Sequence, residues 1–349
     1  MLARAAFFDA QGQALRRVWP GWATCVLIAL AASFVAALHQ GPPMLYALLF
    51  GTALHCQSPE DRTAAGVEFC SRTLLRLGVG LLGARITWEQ VAGLGWPTVL
   101  VVLGAVASTL ACGWWLAKAL RLPWMLGVLA GGATAICGAS AALAIAAVLP
   151  RARDGETPTE QHGLVVAVMA TLLSTAAMVA YPLIARQLHL SAAGAGLFIG
   201  GSIHDVAQVI VAGYAISPAA GDTASLVKLL RVSLLVVVVL GVSLACRAPG
   251  QAGQQPPALM LRLRGLVPGF LWLFVALAAL NSLGCLHLLQ EPLNVASRAC
   301  LMLGVAGLGM KTSFLRLASA GWRPVLLMLA TSAWLAGVSL AAACGLGPR

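Results

Sequence analysis

Long unbroken apolar runs decide what this chain can become. Val18 to Leu38 and Thr98 to Leu116 each hold about twenty residues without a single charge, the length at which a helix spans the ~30 Å hydrocarbon layer of a bilayer. Within lipid every backbone N–H and C=O must find a partner inside the protein, which restricts spanning structures to helices and closed barrels. A barrel strand alternates apolar and polar residues over about ten positions, and these runs do not alternate. Eleven apolar segments follow one another, with cores near 19–38, 42–56, 67–84, 97–117, 123–149, 163–185, 192–216, 224–246, 266–283, 293–310 and 323–344.

Composition closes the soluble alternatives. Hydrophobic residues make up 60% of the 349 positions and charged residues 9%, with a mean hydropathy of +0.90. A soluble fold of this size could not cover its surface with so few charges. Disorder, a coiled coil and a disulfide scaffold are excluded on the same grounds. The expected fold class is all-α, a polytopic membrane helical bundle of about ten or eleven transmembrane segments in one integral membrane domain over 1–349.

The net charge of +11 does not point to nucleic acid, because the basic residues are spread over short loops and helix ends. With the N-terminus in the cytoplasm most of them, including Arg16, Arg17, Lys118, Arg121, Arg262 and Arg264, fall on the inner side, as the positive-inside rule requires. Arg151 and Arg153 fit that orientation only if segment five dips into the membrane and returns. The apolar run after Arg17 is too long for a signal-peptide core. The nine cysteines show no metal-ligand spacing and read as small apolar fillers.

An internal repeat lies at an offset of 226. Ser71-Arg72, Leu77-Gly78-Val79, Leu82-Gly83 and Arg85 recur as Ser297-Arg298, Leu303-Gly304-Val305, Leu308-Gly309 and Lys311. The same offset carries Gly95-Trp96 onto Gly321-Trp322 and Pro42 onto Pro268. The related regions lie near 67–117 and 293–344. Segments three and ten are an odd number of crossings apart, so the copies point opposite ways. Inverted repeats with discontinuous helices mark secondary transporters.

Two glycine-rich breaks carry the chemistry: Gly131-Gly132-Ala133-Thr134-Ala135-Ile136-Cys137-Gly138-Ala139-Ser140, and Gly200-Gly201-Ser202-Ile203-His204-Asp205-Val206-Ala207-Gln208. Unwinding at such breaks exposes backbone N–H groups, and the half-helix that follows presents the positive end of its dipole. Two such ends, with the hydroxyls of Thr134, Ser140 and Ser202, can cradle an anion. The competing reading of each glycine pair is close helix packing. Asp205 is the one carboxylate among eleven that lies deep in an apolar segment, where a charge is costly and tends to pair, titrate or bind a cation. The alternative is an Asp that fixes the broken helix through hydrogen bonds. His204 can carry a proton near neutral pH or pack through hydrogen bonds. Gln208 lies on the helical face of Asp205. Lys228 and Arg231 share a face near the outer end of segment eight, to attract an anion or to snorkel. Arg72 and Arg298, related by the repeat, read as snorkelling residues. No H-E-x-x-H, G-x-S-x-G, Walker loop or dinucleotide fingerprint is present, so neither an enzyme nor a nucleotide-driven pump is expected, and no cofactor or metal.

These residues resemble the YeiH-like family, to which sulfate export is assigned. The likeness rests on Leu77-Gly78-Val79-Gly80-Leu81-Leu82-Gly83-Ala84-Arg85, Ile136-Cys137-Gly138-Ala139-Ser140-Ala141, Gly200 to Val209, Lys228 to Arg231, and Gly307 to Thr312, and runs from about Trp19 to segment eleven. It implies a bacterial inner-membrane secondary transporter of a small anion such as sulfate, related to inverted-repeat antiporters and anion symporters with crossed, broken helices. A homodimer and coupling to protons or sodium are further expectations. Segments five and seven would then be the crossed elements, and a permuted second repeat, with segments two and nine equivalent, would account for the single segment between them. Two rivals stand beside this reading: a cation–proton antiporter using Asp205, and a membrane scaffold or receptor that transports nothing.

Overall fold

The computed structural model describes residues 2–39, 42–55, 60–149, 158–246, 269–311 and 322–346. Pro268, Gly321 and Thr312 of the sequence motifs, and the basic residues Arg151, Arg153, Arg262 and Arg264, lie outside them. Every regular element among the described residues is helical. In chain order they are α1 (Leu2–His39), α2 (Pro43–His55), α3 (Glu60–Glu68), a π-helical stretch (Phe69–Leu74), α4 (Leu75–Leu81), a 3-10 turn (Leu82–Arg85), α5 (Trp88–Gly93) and α6 (Gly95–Ala119). There follow α7 (Trp124–Ala135), α8 (Ala139–Ala146), α9 (Pro158–Gln187), α10 (Ala192–Ser202), α11 (Val206–Ile216), α12 (Pro218–Ala245), α13 (Gly269–Ser282), α14 (Gln290–Lys311) and α15 (Trp322–Leu346). Six helical stretches among the described residues are long and apolar enough to cross a membrane: Arg17–His39, Gly95–Ala119, Val165–Gln187, Pro218–Ala245, Gln290–Lys311 and Trp322–Gly345. Large apolar side chains such as Leu27, Phe34, Trp96, Trp115 and Val237 remain exposed on them, as suits a surface solvated by lipid.

The chain forms two compact units, Met1–Glu89 with Phe270–Ser313 and Gln90–Gly269 with Phe314–Arg349. In the first, α4 and α14 pack through small residues. A Cβ on Gly78 would lie 2.9 Å from Leu301 Cγ, and one on Gly304 would lie 2.7 Å from Leu75 Cβ. The offset of 226 carries Leu75 onto Leu301 and Gly78 onto Gly304, so the two contacts are one contact seen twice. The rising index on one helix meets the falling index on the other, which makes the copies antiparallel. The same symmetry holds further along. A Cβ on Gly83 would collide with Phe274 O and one on Gly309 with Leu48 O, again equivalent pairs. Thus α2 and α13 are also counterparts, in keeping with the expected equivalence of segments two and nine.

The second unit holds the other counterparts. Trp334 Nε1 of α15 donates to Ser108 Oγ of α6 at 3.3 Å, and these two residues are related by the same offset. The unit also contains both breaks, and neither is a kink in a continuous helix. Gly132 and Ile145 would be about 20 Å apart along one helix, yet a Cβ on Gly132 would collide with Ile145 Cδ1. So α8 turns back along α7. On the other side, a Cβ on Gly196 would lie 2.9 Å from Ala220 O and one on Gly213 3.4 Å from the same oxygen. So α11 turns back along α10. Segments five and seven are two re-entrant helical hairpins.

Two long helices show how the hairpins face one another. The first half of α12 packs on the second hairpin, with Gly200 against Ala224 and Val227. Its second half, through Val232, Leu235 and Val239, joins the core of the first hairpin around Leu126, Leu129, Ala133 and Ile145. Likewise Leu327 and Met328 of α15 belong to that core, while a Cβ on Gly201 would meet Ser339 and one on Gly194 would meet Ala343. The hairpins therefore enter from opposite ends of the unit and meet near its middle.

Candidate functional site at the hairpin tips

The tips are Ile136–Gly138 and Ile203–Asp205. Gly138 has φ +65° and ψ −122°, a conformation that side chains strain to adopt, and its Cβ position lies 3.6 Å from His204 Cβ. The two tips thus touch. The glycine pairs are not where the chain unwinds. Gly131 and Gly132 lie inside α7, and Gly200 and Gly201 inside α10. A Cβ on Gly131 would press on Thr109 O at 3.0 Å and one on Gly200 would collide with Ala224 O. Their role is close packing, and each break falls a few residues later, at a C-cap isoleucine.

Helix ends explain the charges. An arm that ends inside the membrane leaves carbonyls without partners, each costing several kcal/mol in hydrocarbon. Lys228 Nζ donates to Ile136 O and, at 3.0 Å, to Ile203 O, the matching C-cap positions of α7 and α10. Arg231 donates from Nε to Ala135 O at 2.8 Å and from Nη2 to Thr134 O at 2.8 Å. Its Nη1 reaches Gly200 O at 2.9 Å and Ile203 O at 3.1 Å. Two cations thereby hold the negative ends of both hairpin arms. The placement of Lys228 and Arg231 near the outer end of the segment is corrected here, and of the two readings given for them snorkelling falls with it. α12 starts at Pro218, N-capped by Ser217 Oγ on Ala220 N at 3.1 Å, which places both residues mid-helix and fully buried.

With the negative ends satisfied, the positive ends of α8 and α11 remain at the tips. Asp205 is the N-cap of α11, its Oδ1 accepting from Ala207 N at 2.9 Å. The N-cap of α8 is Gly138, which has no side chain to offer. Lys228 and Arg231 outnumber the one carboxylate there, and the N-terminal ends of α8 and α11 offset the C-terminal ends of α7 and α10. Ser140, in the first turn of α8, is exposed, with its hydroxyl donating to Cys137 Sγ at 2.8 Å. Asp205 is half-buried.

The remaining sequence candidates face inward. Thr134 Oγ1 lies 3.3 Å from Thr331 Oγ1. Ser202 Oγ donates to Phe198 O at 2.6 Å, within its own helix. His204 Nε2 pairs with Ser332 Oγ at 2.9 Å. Gln208 Nε2 donates to Thr175 Oγ1 at 2.8 Å, and the Asp205 N–H donates to Ser174 Oγ at 3.1 Å. Thr134, Ser202, His204 and Gln208 are all buried, and Thr134, His204, Gln208 and the Asp205 N–H lock the tips onto α9 and α15. The sequence reading did not pick out Ser174, Thr175, Thr331 and Ser332. Their signal was two adjacent hydroxyl pairs, Ser174-Thr175 and Thr331-Ser332, in the middle of otherwise apolar segments.

Fold and tips together define a polytopic helical membrane protein with paired re-entrant hairpins. The chain belongs to the family described as Conserved hypothetical protein 698, whose model matches residues 20–328. It is 43% identical over 330 residues to the UPF0324 membrane protein RB0971 of Rhizobium meliloti (strain 1021), covering 94% of this chain and 93% of that one. It is 42% identical to the UPF0324 membrane protein CT0845 of Chlorobaculum tepidum, covering 94% and 91%, and 44% identical to the UPF0324 membrane protein TauZ of Paracoccus denitrificans, covering 92% and 94%.

Proposed function

We propose that this chain is a secondary transporter of a small anion, with sulfate, which the YeiH-like resemblance implies, as the substrate. The observation that carries the reading is the meeting of two hairpin tips around Lys228 and Arg231. The buried cations and the N-terminal ends of α8 and α11 give a net positive region in the core of a membrane protein, where a fixed charge is retained for a purpose. The anion is held by the first-turn N–H groups of α8, by Ser140 Oγ and by the first turn of α11, in the field of the two cations. The hairpins enter from opposite ends of the unit, so relative motion of tips and surroundings alternates access between the two faces. The chain acts as one transporter domain in the bacterial inner membrane with its N-terminus in the cytoplasm.

Export follows the electrical gradient. Moving one charge through 100 mV is worth about 2.3 kcal/mol, so a dianion leaving a negative interior gains about 4.6 kcal/mol. Asp205 tunes the site as the cap of α11, and a proton on it lowers its repulsion of the dianion. The test is flux of radiolabelled sulfate in proteoliposomes under an imposed membrane potential and pH gradient. Flux that follows the potential and is lost in Gly138→Ala and Arg231→Met supports the reading. No sulfate flux, with collapse of a pH gradient on adding Na⁺, transfers the function to a cation–proton antiporter. Neither sulfate flux nor gradient collapse leaves the scaffold or receptor.

A further inference from the structure

Transporters with discontinuous helices use two kinds of half-helix end: N-terminal ends face anions, and exposed C-terminal carbonyls coordinate the driving cation. In this chain the second kind is already occupied. Ile136 O and Ile203 O converge on Lys228 Nζ, and Thr134 O, Ala135 O, Gly200 O and Ile203 O converge on the Arg231 guanidinium. Five carbonyl oxygens from two hairpins thus surround two side-chain cations that cannot leave.

We propose that Lys228 and Arg231 are built-in substitutes for a coupling cation, making anion transport by this chain independent of sodium. The proposal rests on the transporter reading above and specifies how that site is driven. An ammonium is a compact point charge with oxygen-seeking donors, and Lys228 Nζ takes one carbonyl from each tip, a bridge that a bound Na⁺ makes in the same way. Removing the ammonium leaves Ile136 O and Ile203 O facing one another across a gap of the right chemistry for an alkali cation. Arg231 is less replaceable, because its planar fork spans four carbonyls and no single ion does. Lys228 is therefore the position where an external cation can take over, and Arg231 is not.

The test uses full-length protein, wild type and Lys228→Met, in detergent and in proteoliposomes. Two readouts are taken, each with 100 mM NaCl against N-methylglucamine chloride. Wild type shows the same melting temperature and the same sulfate flux in both salts. Lys228→Met shows a melting temperature raised by Na⁺ by several degrees and a flux that rises about tenfold when Na⁺ is added, equivalent to ~1.4 kcal/mol. Lys228→Gln, which keeps a donor and the stem, is read the same way if Lys228→Met does not yield folded protein. The proposal is overturned if wild type gains stability or flux from Na⁺, or if a folded variant is indifferent to it. The melting readout does not require transport. A wild type with no sulfate flux sinks the transporter reading, while Na⁺-stabilisation of the variant alone still upholds the cation substitution.

Discussion

Arg231→Met is the perturbation whose cost can be worked from the structure. The side chain is fully buried and donates four hydrogen bonds, from Nε to Ala135 O at 2.8 Å, from Nη2 to Thr134 O at 2.8 Å, and from Nη1 to Gly200 O at 2.9 Å and Ile203 O at 3.1 Å. A hydrogen bond from a charged donor is worth about 1.5–3 kcal/mol net, so a simple sum exceeds what single substitutions show. Relaxation of the tips and entry of water recover part of it. Removing one partner from a buried charged arrangement costs about 3–5 kcal/mol, and we take that range. For a chain of this size it lowers the melting temperature by about 4–7 °C. Arg231→Lys keeps the charge but loses the fork, so its loss is about half as large. Arg186→Ala is the control: its Nη2 donates to Ala215 O at 2.6 Å from an exposed position, and its loss costs less than about 1.5 kcal/mol. The assay is thermal unfolding of the purified protein followed by fluorescence and by loss of the monodisperse peak. An Arg231→Met protein as stable as the Arg186→Ala control refutes the view that this arginine holds both hairpin tips.

Further expectations follow from other contacts. Gly83→Ala and Gly309→Ala place a methyl against Phe274 O and Leu48 O, backbone atoms at equivalent repeat positions, so both lower the melting temperature by similar amounts. A large effect at one and none at the other contradicts the two-fold relation. Gly200→Ala meets the backbone at Ala224 O, whereas Gly132→Ala meets the flexible end of Ile145, and thermal unfolding is expected to rank Gly200→Ala as the more damaging. Asp205→Ala loses the N-cap of α11 and about 0.5–2 kcal/mol, while Asp205→Asn keeps a capping oxygen and most of the stability. If Asp205→Asn carries sulfate at the wild-type rate from pH 5 to 8, a proton-coupling role for this carboxylate is wrong.

The membrane class was legible because lipid leaves a chain few options: uncharged runs of about twenty residues have to be helices. The repeat was legible where glycine spacing survives, as at Gly78 and Gly304. Between α2 and α13 it was legible only as the match of Pro42 with Pro268, because lipid and packing accept many different apolar residues, and the contacts of Gly83 with Phe274 and Gly309 with Leu48 supply the rest. The breaks were found but displaced, because the sequence marks glycine and does not say whether it bends a helix or admits a neighbour. Lys228 and Arg231 were misplaced along their helix for a related reason. The apolar core of segment eight starts after Asp222, but Ser217 and Pro218 begin the helix earlier. That each hairpin turns back is a fact of distance, and no single segment's pattern encodes it.

The central claim is that an anion sits at the first turn of α8, where the two tips meet. Ser140 is the exposed side chain there, so its accessibility reports occupancy. In a chain whose nine native cysteines are replaced, the rate at which a water-soluble thiol reagent modifies Ser140→Cys is measured with sulfate and with chloride at equal ionic strength. The account predicts slower modification as sulfate is raised, with saturation. A rate indifferent to sulfate, in a variant that still carries sulfate, places the anion elsewhere and contradicts it.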